Sequence, residues 1–200
     1  MTYLRDALRA RVGEFIELRR DIHQYPELAF EEHRTSNLVA SKLETWGYSV
    51  KRGLGGTGVV GTLKRGNSSK SIGIRADMDA LPIQEKTGLH WASQKPGLMH
   101  ACGHDAHTAI LMGTAKVLKE MQKNIAGTVV FLFQPAEEGA PSNEEGGAPL
   151  MIKEGALDNP LVSAVIGLHM NSALPSGMLT YKSGAAQAAS DLFKITVSGK

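Results

Sequence analysis

The run GTVVFLF, residues 127–133, is the clearest candidate for a central strand in this chain. An apolar, β-branched run of this length is typical of a strand buried inside a sheet. It continues into FQPAEEG, where Glu137 and Glu138 stand side by side. Because ligands of open α/β sheets gather at the carboxyl ends of strands, the run predicts both a layered fold and the place of a site.

Helical and strand-like segments alternate on both sides of this run. Apolar residues at helical spacing predict helices over 3–24, 31–46, 107–121 and 149–155. Short β-rich runs predict strands over 48–52, 59–63, 71–76, 164–169 and 192–198. This alternation predicts an α/β layered domain with a mixed β-sheet flanked by helices.

Composition excludes several function classes. The chain is 42% hydrophobic and 21% charged, with a net charge of +2, so it gives no electrostatic reason to expect a nucleic-acid partner. No apolar run approaches the roughly 18 residues of a membrane span. A single cysteine, and an N-terminus without the apolar core of a secretory signal, predict a cytoplasmic protein.

The decapeptide MHACGHDAHT, residues 99–108, contains the single cysteine and three of the seven histidines. A lone buried cysteine is usually a small core residue. Here, however, a glycine separates Cys102 from His104, so both side chains can converge on one transition-metal ion. We expect Asp105 and His107 to support that site or to cap the following helix.

Three further groups are candidates for the same site. Adjacent glutamates are most often a solvated surface pair, but Glu137 and Glu138 can point in different directions, one toward metal and the other toward the substrate water. His169 ends an apolar strand, a position that suits a further metal ligand or a histidine capped at the sheet edge. Asp77 and Asp79 suit ligands, turn formers or groups that orient a histidine, and we favour the orienting role.

Two other patterns suggest different functions. Residues 53–58 match the glycine spacing GxGxxG, but a dinucleotide site needs a helix after it, and the strand-like VVGTL follows instead. We therefore expect a hairpin turn there. A cysteine protease would pair Cys102 with His104 or His107, but such pairs normally come from well-separated segments, and this one leaves the glutamates unused.

Four segments in the same order resemble one known family. RRDIHQYPELAFEE, RADMDALPI, MHACGHDAHT and FQPAEEG are similar to the bacterial and plant amidohydrolases of the aminoacylase and glutamate-carboxypeptidase-like metallopeptidase superfamily. Hippurate hydrolases, N-acetyl-diaminopimelate deacetylases and indole-acetyl-amino-acid hydrolases belong to this group. The resemblance implies a catalytic α/β domain with two divalent metal ions, which would be manganese, zinc, nickel or cobalt.

The resemblance also implies a role for each site residue. Cys102 would be the bridging ligand, and His104, Glu138 and His169 would be further metal ligands. Glu137 would be the general base that takes a proton from the metal-bound water and passes it to the leaving amine. The substrate would be a small molecule, an N-acyl amino acid, cleaved at its amide bond.

The resemblance further implies a domain arrangement. Family members are nearly twice as long and carry an inserted lid or dimerisation domain. Residues 1–190 would be the N-terminal part of the catalytic domain, and residues 191–200 would begin the insertion, with one more metal-ligand histidine beyond. We expect the full-length form to be a homo-oligomer. The alternative function is an inactive metal-binding fragment that lacks this last ligand and the lid.

Overall fold

A computed structural model describes residues 2–141, 144–185, 193 and 195–199 of the chain. The described residues up to Met170 form one compact unit, and those from Asn171 onward form a second one. All helices and strands of the described residues lie in the first unit. None of these helices is both long and apolar enough to cross a membrane.

Five strands form a mixed sheet in the first unit. They are β1 (Ser49–Leu54), β2 (Gly58–Arg65), β3 (Ser71–Asp77), β4 (Gly127–Gln134) and β5 (Val165–Gly167). Their order across the sheet is β1-β2-β4-β3-β5. β2 is antiparallel to β1 and β4, and β3 is parallel to β4 and β5. The predicted mixed α/β architecture is confirmed.

β4 occupies the centre of the sheet, and all eight of its residues are buried. Its side chains alternate between the two faces, as the pleat of a strand requires. Phe131 and Phe133 belong to the larger core, while Val130 and Leu132 belong to a smaller core on the other face. The apolar run GTVVFLF is therefore buried on both faces of the sheet.

Five α-helices surround the sheet. They are α1 (Thr2–Arg9), α2 (Val12–Gln24), α3 (His33–Thr45), α4 (His104–Glu120) and α5 (Gly147–Lys153), and a short 3₁₀ helix covers Gln122–Asn124. The larger core contains buried residues of α2, α3 and α4, and the smaller core contains Met151 of α5. Helices therefore contribute to the cores on both faces of the sheet, as predicted.

Two predicted helix boundaries were clearly wrong. The single helix expected over 3–24 is broken between Arg9 and Val12, because the N–H of Arg11 bonds the Leu8 carbonyl in a tight turn. α4 begins at His104 rather than at residue 107. Gly103 precedes it with a φ of 92°, a conformation that glycine adopts without steric cost.

The strand predicted over 192–198 is also wrong where it can be compared. Residues 193 and 195–198 are described and are not in a strand, while residues 192 and 194 lie outside the described residues. A β-rich sequence forms a stable strand only when a partner strand pairs with it. By contrast, the hairpin turn predicted at residues 53–58 joins β1 to β2, and Gly55 and Gly56 adopt φ values of 60° and 91° there.

A long loop connects β3 to α4 and contains no helix or strand. Near its two ends, Leu81 and Met99 form an isolated antiparallel bridge and exchange both backbone hydrogen bonds, each 3.0 Å long. We call this Leu81–Met99 bridge the neck of the loop. Asp79 lies just before the neck and Cys102 just after it. The backbone hydrogen bonds of the neck therefore hold together the two ends of the loop, which carry these two candidate site residues.

Candidate metal centre

The candidate site lies at the carboxyl ends of β3 and β4. The register pairs Asp77 of β3 with Gln134 of β4, so both strands end at the same level. The segments that follow these strands, the start of α4 and the segment after β5 supply the polar side chains of the site: Asp77, Asp79, Cys102, His104, Glu137, Glu138 and His169. This is the sheet edge where α/β folds place their ligands.

His104 is at the centre of this cluster, and its side chain is fully buried. Its Nδ1 lies 3.2 Å from Asp79 Oδ1, while its Nε2 lies 3.6 Å from Glu138 Oε1 and 3.7 Å from Glu137 Oε2. Burial alone would lower the pKa of His104, but the carboxylates of Asp79, Asp77 and Glu138 raise it. The imidazole therefore sits in a strongly negative environment.

Two buried atoms in this environment have no hydrogen-bond partner among the described residues: Nε2 of His104 and Oε1 of Glu138. Buried polar atoms are nearly always paired, because leaving one unpaired costs its full desolvation energy. A divalent cation between these two atoms would be a partner for both. The residues therefore fit a metal ion at this point.

Cys102 and His169 extend the same donor set. Cys102 Sγ lies 3.5 Å from Nε2 of His169, whose Nδ1 donates to the Met170 carbonyl at 2.6 Å. That hydrogen bond fixes the tautomer and leaves the Nε2 lone pair facing the thiol. His169 is thus presented as a metal ligand would be, with its second ring nitrogen anchored to the backbone.

The thiol of Cys102 is poorly suited to nucleophilic catalysis by itself. Burial raises its pKa to about 12, and the Glu138 and Glu137 carboxylates add to this shift. Reactive cysteines have a lowered pKa and a positive environment, which is the opposite of this one. The environment of Cys102 therefore argues against the protease alternative and suits a thiol that is deprotonated by a bound cation.

Among the described residues, three groups of side chains each bring their donor atoms within 4.8 Å of one another. All three groups include His104. They are Cys102 with His104 and His169, His104 with Glu137 and Glu138, and Asp77 with His104 and His107. The sets combine sulfur, nitrogen and oxygen donors, a mixture that suits a divalent transition-metal ion.

His107 belongs to the third set, but both of its nitrogens are already used. Nδ1 donates to Asp77 Oδ1 at 2.6 Å, and Nε2 accepts the Met170 N–H at 2.8 Å. His107 therefore connects the end of β3 to the segment that carries His169. It supports the site and has no free lone pair to offer to a metal.

Asp77 is fully buried and ionised. Burial would raise its pKa, but the His107 hydrogen bond and the charges of His104 and Arg75 lower it to about 2. Arg75 Nη1 lies 2.5 Å from Asp77 Oδ2, and Arg75 Nη2 lies 3.9 Å from Glu137 Oε1. Asp77 thus orients His107 and holds Arg75 close to the glutamate pair.

Asp79 orients two site residues at once. Its Oδ1 accepts from His104, and its Oδ2 accepts the backbone N–H of Glu138 at 2.9 Å. Burial opposes ionisation, but these hydrogen bonds outweigh it and lower the pKa of Asp79. Asp79 thus contacts His104 and Asp77 contacts His107, and the predicted orienting role of the two aspartates remains a prediction.

Asp105 follows His104 in the chain, but its hydrogen-bond partners lie outside the cluster. Its Oδ2 accepts from Arg19 Nε at 3.0 Å and from His23 Nδ1 at 2.9 Å, and the other ring nitrogen of His23 lies 3.2 Å from Glu85. Arg19, His23 and Glu85 were not predicted from the sequence. The only signal was that Arg19 and His23 stand in the RRDIHQYPELAFEE segment of the family resemblance.

Fold and site together define an α/β domain with a candidate divalent-metal centre at the carboxyl edge of its sheet. Residues 73–197 match the family model of peptidase family M20/M25/M40, and the chain belongs to this family. The resemblance inferred from the four sequence segments is thereby confirmed.

Comparison with known proteins gives the same family. The chain is 48% identical to hippurate hydrolase of Campylobacter jejuni, over 94% of this chain and 47% of that protein. It is 46% identical to IAA-amino acid hydrolase ILR1-like 5 of Arabidopsis thaliana, over 92% of this chain and 41% of that protein. The chain thus spans less than half the length of these relatives.

A solved structure of the same family has the same fold. The Bacillus subtilis YXEP protein, described as a dinuclear metal binding peptidase from the M20 family, matches with a TM-score of 0.76. It is 42% identical in sequence, and the match covers 84% of this chain and 45% of that one.

Proposed function

We propose that this protein is a metal-dependent amidohydrolase that cleaves the amide bond of N-acyl amino acids. The observation that carries the proposal is the pair of buried, unpartnered atoms, His104 Nε2 and Glu138 Oε1, with the Glu137 carboxylate beside them. The hydrolases named above act, by their names, on N-acyl amino acids, which supports the same substrate class here.

We assign the metal ligands to Cys102, His104, Glu138 and His169, and we expect two divalent ions. Such ions, when bound, lower the pKa of water towards roughly 7 and polarise the amide carbonyl. Glu138 suits a ligand better than Glu137 because its Oε1 is buried and unpartnered. The side chain of Glu138 is 21% exposed and that of Glu137 is 35% exposed, so Glu137 is the more accessible to water and substrate.

Glu137 is the proposed general base. Its carboxylate accepts a proton from water while the water oxygen forms a bond to the amide carbonyl carbon. The carbon–nitrogen bond then breaks, and Glu137 returns the proton to the leaving amine. The products are a carboxylic acid and a free amino acid. Arg75, near Glu137 and bonded to Asp77, holds positive charge beside the base.

The substitution Glu137→Gln tests this role. The matched control is Glu144→Gln, which changes an exposed glutamate in the same segment. Glu137→Gln should retain the wild-type metal content, measured by elemental analysis, while amine release from N-acyl amino acids falls about 10²- to 10⁴-fold. Glu144→Gln should behave as wild type. Hydrolysis at the wild-type rate in Glu137→Gln would exclude Glu137 as the base.

Ligation by Cys102 is tested separately. Elemental analysis of the wild type should give close to two divalent ions per chain, and Cys102→Ala should bind fewer because it lacks the thiolate. Unchanged metal content in Cys102→Ala would count against ligation. Comparing amide hydrolysis by this chain with that by a longer gene product distinguishes an active hydrolase from an inactive metal-binding fragment.

The remaining assignments are proposals that rest on the family resemblance and composition. We propose residues 1–190 as the N-terminal part of the catalytic domain and residues 191–200 as the start of an inserted lid or dimerisation domain. We also propose a cytoplasmic location, a homo-oligomeric full-length form, a small-molecule substrate, and no nucleic-acid or membrane partner. Sedimentation of a longer chain would measure the oligomeric state.

A further inference from the structure

We propose that Glu32 is a positioning residue that sets the direction of Glu137 and Glu138 by holding the backbone N–H of Ala136. This inference rests on the proposed function for its catalytic meaning. The contact itself belongs to the fold and is measurable without metal or substrate.

Glu32 is fully buried, just before α3 and far in sequence from the glutamate pair. Its Oε1 accepts the Ala136 N–H at 2.8 Å, and its Oε2 accepts a short hydrogen bond from the Thr57 hydroxyl. One carboxylate therefore connects the β1–β2 turn to the segment after β4. Both of its oxygens are used, and neither contacts the candidate metal ligands.

Ala136 needs such a contact because its backbone is strained. Its φ is 48°, in the left-handed region, which is sterically unfavourable for a residue with a Cβ. Strain of this kind persists only where the surroundings enforce it. The Ala136 N–H is held by Glu32, and the Ala136 carbonyl accepts the Gly147 N–H at 3.2 Å.

This strained residue is the one directly before the glutamate pair. With Ala136 in the left-handed conformation, Asp79 can accept the N–H of Glu138, and both glutamate side chains reach His104 Nε2. If the Ala136 N–H lost its acceptor, the backbone would relax toward an ordinary φ. The two carboxylates would then turn away from His104.

The role requires an acceptor at the right distance and does not require a charge. Burial raises the pKa of Glu32, while the Thr57 hydroxyl and the Ala136 N–H oppose that shift. A glutamine places a carbonyl oxygen at the same reach, whereas an aspartate keeps the charge but is one methylene shorter. The variants Glu32→Gln and Glu32→Asp therefore separate reach from charge.

The first experiment measures amide hydrogen exchange at Ala136 in metal-free protein. Glu32→Asp and Glu32→Ala should exchange at least about tenfold faster than wild type, corresponding to about 1.4 kcal/mol of lost protection. Glu32→Gln should stay close to wild type. Glu31→Ala, which removes the adjacent exposed glutamate, is the matched control and should leave Ala136 protected.

The second experiment titrates the same proteins with Co²⁺, whose visible absorption reports ligand geometry. Glu32→Asp should bind Co²⁺ about 10- to 100-fold more weakly, the usual effect of losing a group that orients a ligand, with altered absorption bands. Glu32→Gln should give the wild-type spectrum. If Glu32→Ala does not fold, the Gln and Asp pair still decides the question.

Two results would overturn the proposal. Unchanged Ala136 exchange in Glu32→Asp would mean that the carboxylate does not hold the backbone. Damage from Glu32→Gln as large as that from Glu32→Asp would mean that an uncharged acceptor at the same reach is not enough, so reach alone does not explain the role. Failure of the proposed function looks different: Glu137→Gln would remain active while Ala136 exchange still responded to Glu32.

Discussion

At the scale of single residues, His23 is a buried histidine paired with two carboxylates. It lies between the buried carboxylate of Asp105 and that of Glu85. Burial would lower the pKa of His23, but these two carboxylates outweigh it and raise the pKa above 6.5. The pKa of Asp105 is lowered in turn, against the effect of its burial, with the His23 hydrogen bond as the main cause.

These shifts predict how stability depends on pH. A raised histidine pKa stabilises the fold fully below the unfolded-state value of about 6.5, and the contribution is lost as the pH rises through the folded-state value. The free energy of unfolding of wild type should therefore exceed that of His23→Gln most clearly near pH 6, and the difference should shrink above about pH 6.5. Urea unfolding across this range measures it.

The exposed His90 gives a control for the histidine prediction. His90→Gln should leave the dependence of stability on pH as it is in wild type. A difference between wild type and His23→Gln that stays constant from about pH 6 to about pH 9 would show that His23 does not change its charge state on folding.

Local pattern was enough to predict some site residues and not others. Cys102 and His104 share one motif, and Glu137 and Glu138 follow one strand, so their proximity is visible in the sequence. The contacts of His23 with Asp105 and of Glu32 with Ala136 join residues 82 and 104 positions apart. Such contacts depend on how α2 and α3 pack over the sheet, which a single sequence does not specify.

At the scale of elements, the approach of α5 to the segment after β4 is unusually close. A Cβ added to Gly147, the first residue of α5, would lie 1.9 Å from the Pro135 carbonyl oxygen. A Cβ added to Gly146 would lie 3.5 Å from the nearest atom, the Ala136 carbonyl oxygen, which is ordinary contact. Alanine substitutions at these two adjacent glycines therefore compare a blocked position with an open one.

Gly147→Ala should destabilise the protein by about 2 kcal/mol or more, because α5 must move away from the segment that presents the glutamates. Gly146→Ala should change the free energy of unfolding by less than about 1 kcal/mol. Urea denaturation of both variants measures the difference. Equal stability of the two variants would show that α5 shifts at no cost.

Element type was easier to predict than element boundaries. The β-branched run of β4 and the helical spacing of apolar residues in α3 identify both elements. Burial of one or two faces requires apolar residues at regular positions, and that regularity is visible in the sequence. The break at Arg11 leaves no such trace, since apolar residues continue at helical spacing through it. The early start of α4 follows from the φ of Gly103, a property that only the folded loop reveals.

At the scale of the whole molecule, the sheet has an apolar edge. β5 pairs with β3 through only three residues and is the last strand of the described sheet. Val165 is 48% exposed and Ile166 is 55% exposed. Edge strands of this kind offer unpaired backbone groups beside apolar side chains, which promotes association between copies of a chain.

We therefore expect this 200-residue chain to self-associate as its concentration rises. Ile166→Lys places a charge on the edge and should weaken the association at least about tenfold, measured by sedimentation velocity. Ile83→Lys makes the same exchange at a similarly exposed position in the long loop and should have little effect. Equal association of both variants would mean that β5 is not the contact.

The neck between Leu81 and Met99 also affects how the chain can change over evolution. Its two hydrogen bonds hold the loop base closed whatever the length of chain beyond it, so Asp79 and Cys102 keep their separation. Gly88, in the part beyond the neck, has open space around it. Insertions and deletions near Gly88 can therefore accumulate without changing the separation of Asp79 and Cys102, so sequence change there leaves the candidate metal centre unaltered.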